Sequence, residues 1–241
     1  MAERSETLVF VPAFNEESSL PDVLAELEAE LAGVDVLVVN DGSTDRTTEV
    51  ARAGGADVLS FPANRGLPAA IAGGYSYAAD HGYRFCGRVD ADGHHPVPEL
   101  RRLLERVRSG ACDVAVGSRF VSGEGYPERR YRSSPARQLG HFVLRRLVRS
   151  RVDRPFMDAT SGLYAVNKRA LPLLAQPYDA GAPEVEGLIR LAEAGLRIEE
   201  VPVDMRDRTH GQSKLHGKKA LTLVLTVGLT VLLGRRLRRG R

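Results

Sequence analysis

At 241 residues, 43% hydrophobic and 27% charged, the chain has the composition of an ordinary globular protein with room for one large core. Its two cysteines, Cys86 and Cys112, lack metal-like spacing, which argues against a disulfide framework and for a reducing, cytoplasmic compartment. The net charge of +3 hides an asymmetry: nine Lys/Arg and no Asp/Glu follow from Arg208 onward, leaving the remainder at −6.

Residues 1–6 are polar, carry both charge signs and lead into a strand, so no signal peptide is expected. Short apolar runs then alternate with helical patterns, which predicts an α/β fold with a mostly parallel sheet flanked by helices. Residues 8–11 read as strand one. A helix follows from Ser18-Ser19-Leu20-Pro21 to about residue 32, with a serine cap and proline in its first turn. Residues 34–39 read as strand two, 40–45 as a turn with a helix N-cap, and the next helix runs to about residue 53. A third strand over 57–61, a helix over 68–82 and a strand over 83–89 come next. Pro96-Val97-Pro98-Glu99 opens another helix, and 113–116 is a strand ending in Gly117-Ser118-Arg119. Residues 121–131, rich in glycine, proline and charge, read as a mobile loop near the site. A basic amphipathic helix over about 135–149, strands over 163–166 and 198–203, and a helix over 184–194 complete the body. Neither repeat nor linker is evident, so one catalytic domain over 1–215 and an appendage over 216–241 are expected.

The appendage contains an uncharged stretch, 220–234, between Lys218-Lys219 and Arg235-Arg236. As a helix it spans roughly 22 Å, short of the roughly 30 Å hydrocarbon core. Its basic ends suit anionic lipid headgroups, and a helix lying in or on the membrane surface is expected. Packing on the core or on another subunit of a homo-oligomer is the other reading, as is the start of a longer membrane segment. Nucleic acid is not expected as a partner, since Trp is absent and the tail has no Tyr or Phe to stack bases.

The strand over 83–89 runs into Asp90-Ala91-Asp92. In an extended segment residues i and i+2 share a side, so both carboxylates are expected to project together from a strand end. Carboxylates that close repel unless a hard cation sits between them. Mg²⁺ or Mn²⁺ carrying a substrate diphosphate is the expected occupant.

In chain order the motifs are Val11-Pro12-Ala13-Phe14-Asn15-Glu16, Asn40-Asp41-Gly42-Ser43-Thr44-Asp45, Asn64-Arg65-Gly66-Leu67, Asp90-Ala91-Asp92-Gly93-His94-His95-Pro96, Gly117-Ser118-Arg119, Thr160-Ser161-Gly162 and Arg208-Thr209-His210-Gly211-Gln212-Ser213-Lys214. Over residues 7–215 this ordered set resembles the family-2 glycosyltransferases, within them the dolichyl- or polyprenyl-phosphate mannose synthase-like branch. The resemblance implies a GT-A, Rossmann-like fold, a nucleotide-sugar donor (GDP-mannose or a UDP-sugar), a divalent metal and inversion at the anomeric carbon. It places Pro12, Ala13, Asn15, Glu16, Asp41, Ser43, Gly66, Ala91 and Arg119 around the nucleotide, with Asp41 on the base. Asp90 and Asp92 match the metal-binding pair, and Arg208 and Lys214 match phosphate contacts. His94 stands where the branch commonly has Gln, and an imidazole there is a candidate third metal ligand. The branch often carries Arg where this chain has Tyr164, which implies altered acceptor contacts.

A lipid monophosphate acceptor is already anionic near neutral pH, with a second pKa of about 6. A hydroxyl acceptor instead needs a carboxylate to take its proton. Asp158, Glu184 and Glu186 are the candidates, Glu184 and Glu186 standing at the start of a helix. The leading expectation is transfer to a polyprenyl phosphate at the cytoplasmic membrane face, with a glycan or small-metabolite hydroxyl as the alternative acceptor. A sugar nucleotidyltransferase would want a Gly-rich, Arg/Lys-bearing loop after strand one, which 12–16 lacks. Intact Asp90 and Asp92 argue against a non-catalytic binding protein.

Overall fold

The computed structural model describes residues 5–123, 125–126, 156–179 and 181–206. Arg208, Lys214, the basic helix expected over 135–149 and the appendage lie outside them. The elements are β1 (Thr7–Ala13), α1 (Leu20–Glu30), β2 (Asp35–Asn40), α2 (Thr47–Ala53), β3 (Asp57–Ser60), α3 (Leu67–Asp80), β4 (Phe85–Arg88), α4 (Val97–Arg108), β5 (Val114–Ser118), β6 (Tyr164–Asn167), α5 (Leu171–Leu174), α6 (Pro183–Glu193) and β7 (Ile198–Pro202). Prolines stand in the first turn of α1, α3, α4, α5 and α6, where a missing N–H costs no hydrogen bond. Ser19 precedes α1, yet its hydroxyl bonds the Glu16 carboxylate at 2.6 Å and makes no side-chain cap.

One seven-stranded sheet runs in the order β3-β2-β1-β4-β6-β5-β7. The block β3-β2-β1-β4 is parallel and β5 is parallel to β7, while β6 runs antiparallel to both β4 and β5. β1 is buried along its whole length and alternates between two cores. Leu8 and Phe10 join the α3, α5 and α6 face, and Val9, Val11 and Ala13 join the α1 and α4 face. A continuous apolar run is what a strand covered on both faces requires. Phe10 meets Tyr75 edge-on at 4.9 Å between ring centroids, and a Cβ at Gly74 would overlap the Phe10 ring at 2.4 Å, so α3 lies tight on the sheet. Cys86 and Cys112 are both buried, free thiols.

Two features of this topology make a site. The chain turns outward from β1 to β2 and β3, then returns to place β4 on the other side of β1. Loops leaving β1 and β4 therefore diverge at the strands' C-terminal ends, the crevice where open α/β sheets take ligands. Reversed β6 then enters the sheet at that same end, because Tyr164 pairs with Arg88 at the last position of β4. Residues 156–163, which lead into β6, are thereby carried to the mouth of the crevice.

Candidate active site

The side expected to meet the nucleotide is a cross-linked pair of loops. Asn15 adopts a left-handed backbone (φ 57°), its N–H donates to the Ser43 hydroxyl at 2.9 Å, and its Oδ1 accepts the Thr44 N–H at 2.9 Å. Glu16 donates its N–H to Thr47 Oγ1, and the Ser43 N–H donates to Asn40 Oδ1, both at 2.9 Å. Pro12 and Ala13 end β1 beneath these loops. Asp41 is only 3% exposed, and its two carboxylate oxygens accept the Arg65 and Gly66 N–H groups at 2.7 and 2.8 Å. Asp41 thus clasps the loop ahead of α3, a positioning task that the expectation of a base contact did not include. Gly42 makes this clasp possible. Its φ is +70°, and a Cβ there would fall 2.4–2.8 Å from the Ala63–Asn64 backbone, so only glycine lets the loops touch.

The expected extended Asp90/Asp92 pair is corrected by the structure. β4 stops at Arg88, and Asp90, Ala91 and Asp92 lie in the turn that follows. Side chains hold that turn: His95 Nδ1 accepts the Asp90 N–H at 3.1 Å, and Asp92 Oδ1 accepts the His94 N–H at 3.1 Å. Burial pushes the His95 imidazole down to about 4, the nearby Asp90 charge only partly opposing this, so at neutral pH the ring is uncharged. With Nδ1 accepting, the proton sits on Nε2. A Cβ at Gly162 would stand 2.9 Å from the His95 ring, 3.1 Å from Arg88 Nη2 and 3.2 Å from Asp90 Oδ2. The segment entering β6 therefore seals one side of the turn.

Asp90, Asp92 and His94 do not converge into a ready ligand set: among the described residues no group of three or more His, Cys, Asp or Glu is placed to hold a metal. The donor chemistry still suits a hard divalent cation. Asp90 and Asp92 bring carboxylate oxygens to one turn, and the buried His94 Nδ1 has no hydrogen-bond partner among the described residues. Such a cation would complete its shell with diphosphate oxygens and water, as Mg²⁺ and Mn²⁺ commonly do.

All three candidate bases are engaged elsewhere. Asp158 is fully buried and bound by Arg119 through two parallel contacts, Nε to Oδ2 at 2.7 Å and Nη2 to Oδ1 at 2.8 Å. Arg119 is expected on sequence grounds to meet the donor phosphates, and in the structure its guanidinium engages Asp158. Glu186 accepts the Asp179 and Ala182 N–H groups at 2.9 and 3.2 Å, fastening the loop that begins α6. Glu184, in the first turn of α6, accepts Arg88 Nη2 at 3.0 Å, and the same nitrogen lies 3.4 Å from Asp90 Oδ1. Arg88, only 2% exposed, is the residue that the sequence reading missed. Burial opposes its charge, but Asp90 and Glu184 outweigh that and hold the guanidinium protonated more firmly than usual. Its signal was present: it is the lone charge between Phe85 and Val89, two residues ahead of Asp90.

Residues 8–171 match the family described as Glycosyl transferase family 2. The chain is 32% identical over 228 residues to the polyprenol monophosphomannose synthase of Mycolicibacterium smegmatis, with 88% of this chain and 81% of the relative covered. It is 34% identical over 221 residues to the undecaprenyl-phosphate mannosyltransferase of Micrococcus luteus, with 87% of each covered. Among solved structures, glucosyl-3-phosphoglycerate synthase from Mycobacterium tuberculosis, in complex with Mn²⁺, UDP-glucose and phosphoglyceric acid, superposes with a TM-score of 0.64 at 25% identity. That match covers 94% of this chain and 81% of the other. Family match, relatives and the sheet with its crevice agree, and this chain belongs to the family-2 glycosyltransferases, with their GT-A fold.

Proposed function

We propose that this glycosyltransferase moves a hexose, with inversion, from a nucleotide sugar to a polyprenyl phosphate. One observation carries the choice of acceptor: Asp158, Glu184 and Glu186 each have their carboxylates held by an arginine or by backbone N–H groups. A hydroxyl acceptor needs a base to take its proton. A phosphate monoester, with a second pKa of about 6, arrives with its attacking oxygen ionised. Its oxygen forms a bond to the anomeric carbon as the bond from that carbon to the diphosphate oxygen breaks. The electron pair leaves on the diphosphate, and no proton has to move.

In this reading the cross-linked loops at Asn15, Asp41 and Ser43 shape the nucleobase and ribose pocket. Asp90 and Asp92, with His94 beside them, hold the cation. When bound, that cation neutralises charge developing on the departing diphosphate. Arg208 and Lys214 belong to the same leaving-group task through their match to the family motif. Relatives named for polyprenol and undecaprenyl-phosphate substrates favour the lipid acceptor, and a complex with Mn²⁺ and UDP-glucose favours a divalent metal. No helix among the described residues is long and apolar enough to cross a membrane. The basic, apolar appendage over 216–241 is the element we assign to the anionic membrane surface.

Labelled GDP-mannose and UDP-glucose, offered with Mn²⁺ to vesicles containing either a polyprenyl monophosphate or the matching polyprenol, test this reading. Label is expected in the lipid extract only with the monophosphate. A chain truncated after residue 216 is expected to make less lipid product on anionic vesicles yet to bind the donor nucleotide unchanged. Equal labelling of the free polyprenol would overturn the acceptor assignment. Undiminished vesicle binding by the truncated chain would remove the appendage from the membrane.

A further inference from the structure

Arg88 stands at the end of β4 with its side chain almost wholly enclosed, and one nitrogen, Nη2, faces two carboxylates from different parts of the chain. Asp90 belongs to the turn that would hold the cation, and Glu184 to the first turn of α6. Tyr164, the cross-strand partner of Arg88, lies beside it. Arg88 Nε and the Tyr164 hydroxyl are both buried without a hydrogen-bond partner among the described residues.

Stability alone is a poor account of this arrangement. Burying a guanidinium between two partly covered carboxylates and leaving two polar atoms without a partner among the described residues is costly, and well-packed apolar replacements for buried ion pairs are often neutral or stabilising. Unsatisfied buried groups at a reaction site call for a functional explanation. Geometry supplies one. Asp90 is gripped on its backbone N–H by His95 and on Oδ1 by Arg88, while Gly162 closes the side at Oδ2. Arg88 in turn is fixed by Glu184, which sits on a helix packed against the opposite face of the sheet from α4.

We propose that Arg88 is a positioning residue for the metal–diphosphate site, orienting Asp90, and that Glu184 is its anchor from α6 and takes no proton itself. This inference rests on the metal-dependent donor reading above. It extends that reading by joining α6 to the metal turn through one guanidinium. An outer-shell partner of a metal-binding carboxylate acts in this way: it never touches the ion, yet it fixes the ligand that does.

The test is Mn²⁺ binding, read from the electron paramagnetic resonance of free Mn²⁺, in the presence of GDP and separately of UDP, together with kcat and KM for donor. Removing a nearby positive charge would by Coulomb's law strengthen cation binding. Weaker Mn²⁺ binding by Arg88→Met therefore reports lost orientation, and a loss of about tenfold or more is expected from the usual effect of outer-shell partners. Arg88→Lys keeps the charge, and its shorter reach is expected to restore only part of the affinity. Glu184→Gln keeps an oxygen for Nη2 and is expected to weaken Mn²⁺ binding less than Arg88→Met does, with a kcat loss well short of the roughly hundredfold or more that loss of a general base costs. The double variant Arg88→Met/Glu184→Gln removes one of the two carboxylates that Arg88→Met leaves without their guanidinium. It is expected to melt above Arg88→Met while still binding Mn²⁺ weakly.

Wild-type Mn²⁺ binding by Arg88→Met or by the folded double variant would overturn the proposal and leave Arg88 a packing residue. Failure of both variants to fold would do the same. A kcat loss at Glu184→Gln on the order of a hundredfold, with binding intact, would make Glu184 the base instead. If the wild type binds Mn²⁺ with neither nucleotide, it is the donor reading beneath the proposal that falls.

Discussion

Asp92→Ala is expected to lower turnover by at least about a hundredfold, the scale on which losing one charge-stabilising element at a reacting centre is felt. Its melting temperature is expected to stay at the wild-type value. Asp92 lies in the turn after β4 with its carboxylate on the local His94 N–H, so its removal opens no core. Asp90→Ala is expected to weaken nucleotide binding as well as rate, because Asp90 also meets Arg88 beneath the turn. Initial rates with saturating donor, alongside thermal melts, separate the two effects. Near-normal turnover by Asp92→Ala, or wild-type turnover in excess chelator, would contradict a metal-assisted departure of the diphosphate.

Asp158 gives the second large effect, and it falls on stability. Breaking a buried ion pair by removing one partner strands the other charge and costs about 3–5 kcal/mol. Asp158→Ala is therefore expected to lower the unfolding free energy measured in urea by that order, because Arg119 loses two short contacts and stays largely enclosed. The double variant Arg119→Met/Asp158→Leu is expected to recover most of the loss, since an apolar pair of similar volume has no stranded charge. If Asp158→Ala abolished transfer at unchanged stability, Asp158 would be restored as a base.

Most of the fold was legible because burial on both faces writes continuous apolar runs, as in 8–11 and 36–39, and helices announce themselves by proline in the first turn. Direction is not written in such runs. Residues 163–166 read as a strand, yet nothing local says that it enters the sheet antiparallel. That reversal alone brings Asp158 and Gly162 to the crevice. The four-residue α5 was too short to carry a helical period.

At the site, the extended geometry expected for Asp90 and Asp92 is the part that the structure overturns. Alternation along a strand assumed that β4 continued through Asp92, whereas His95 captures the Asp90 N–H and Asp92 captures the His94 N–H, ending the strand at Arg88. Side chains bonding neighbouring backbone compete with sheet pairing in this way. The partners of the candidate bases were not legible for a tertiary reason. Arg119 and Arg88, which occupy Asp158 and Glu184, lie 39 and 96 residues away along the chain, beyond any local pattern.

The most direct test of the account is the pH dependence of kcat/KM for the lipid acceptor, compared between a polyprenyl phosphate and a polyprenyl phosphonate of higher second pKa. With no enzyme base in the reaction, the rising limb is expected near the acceptor's own second pKa, about 6 for the phosphate. The limb is expected to move upward with the phosphonate and to stay in place in Glu184→Gln. A limb that ignores the acceptor, or that disappears in Glu184→Gln, would show that an enzyme carboxylate takes a proton and would contradict the account.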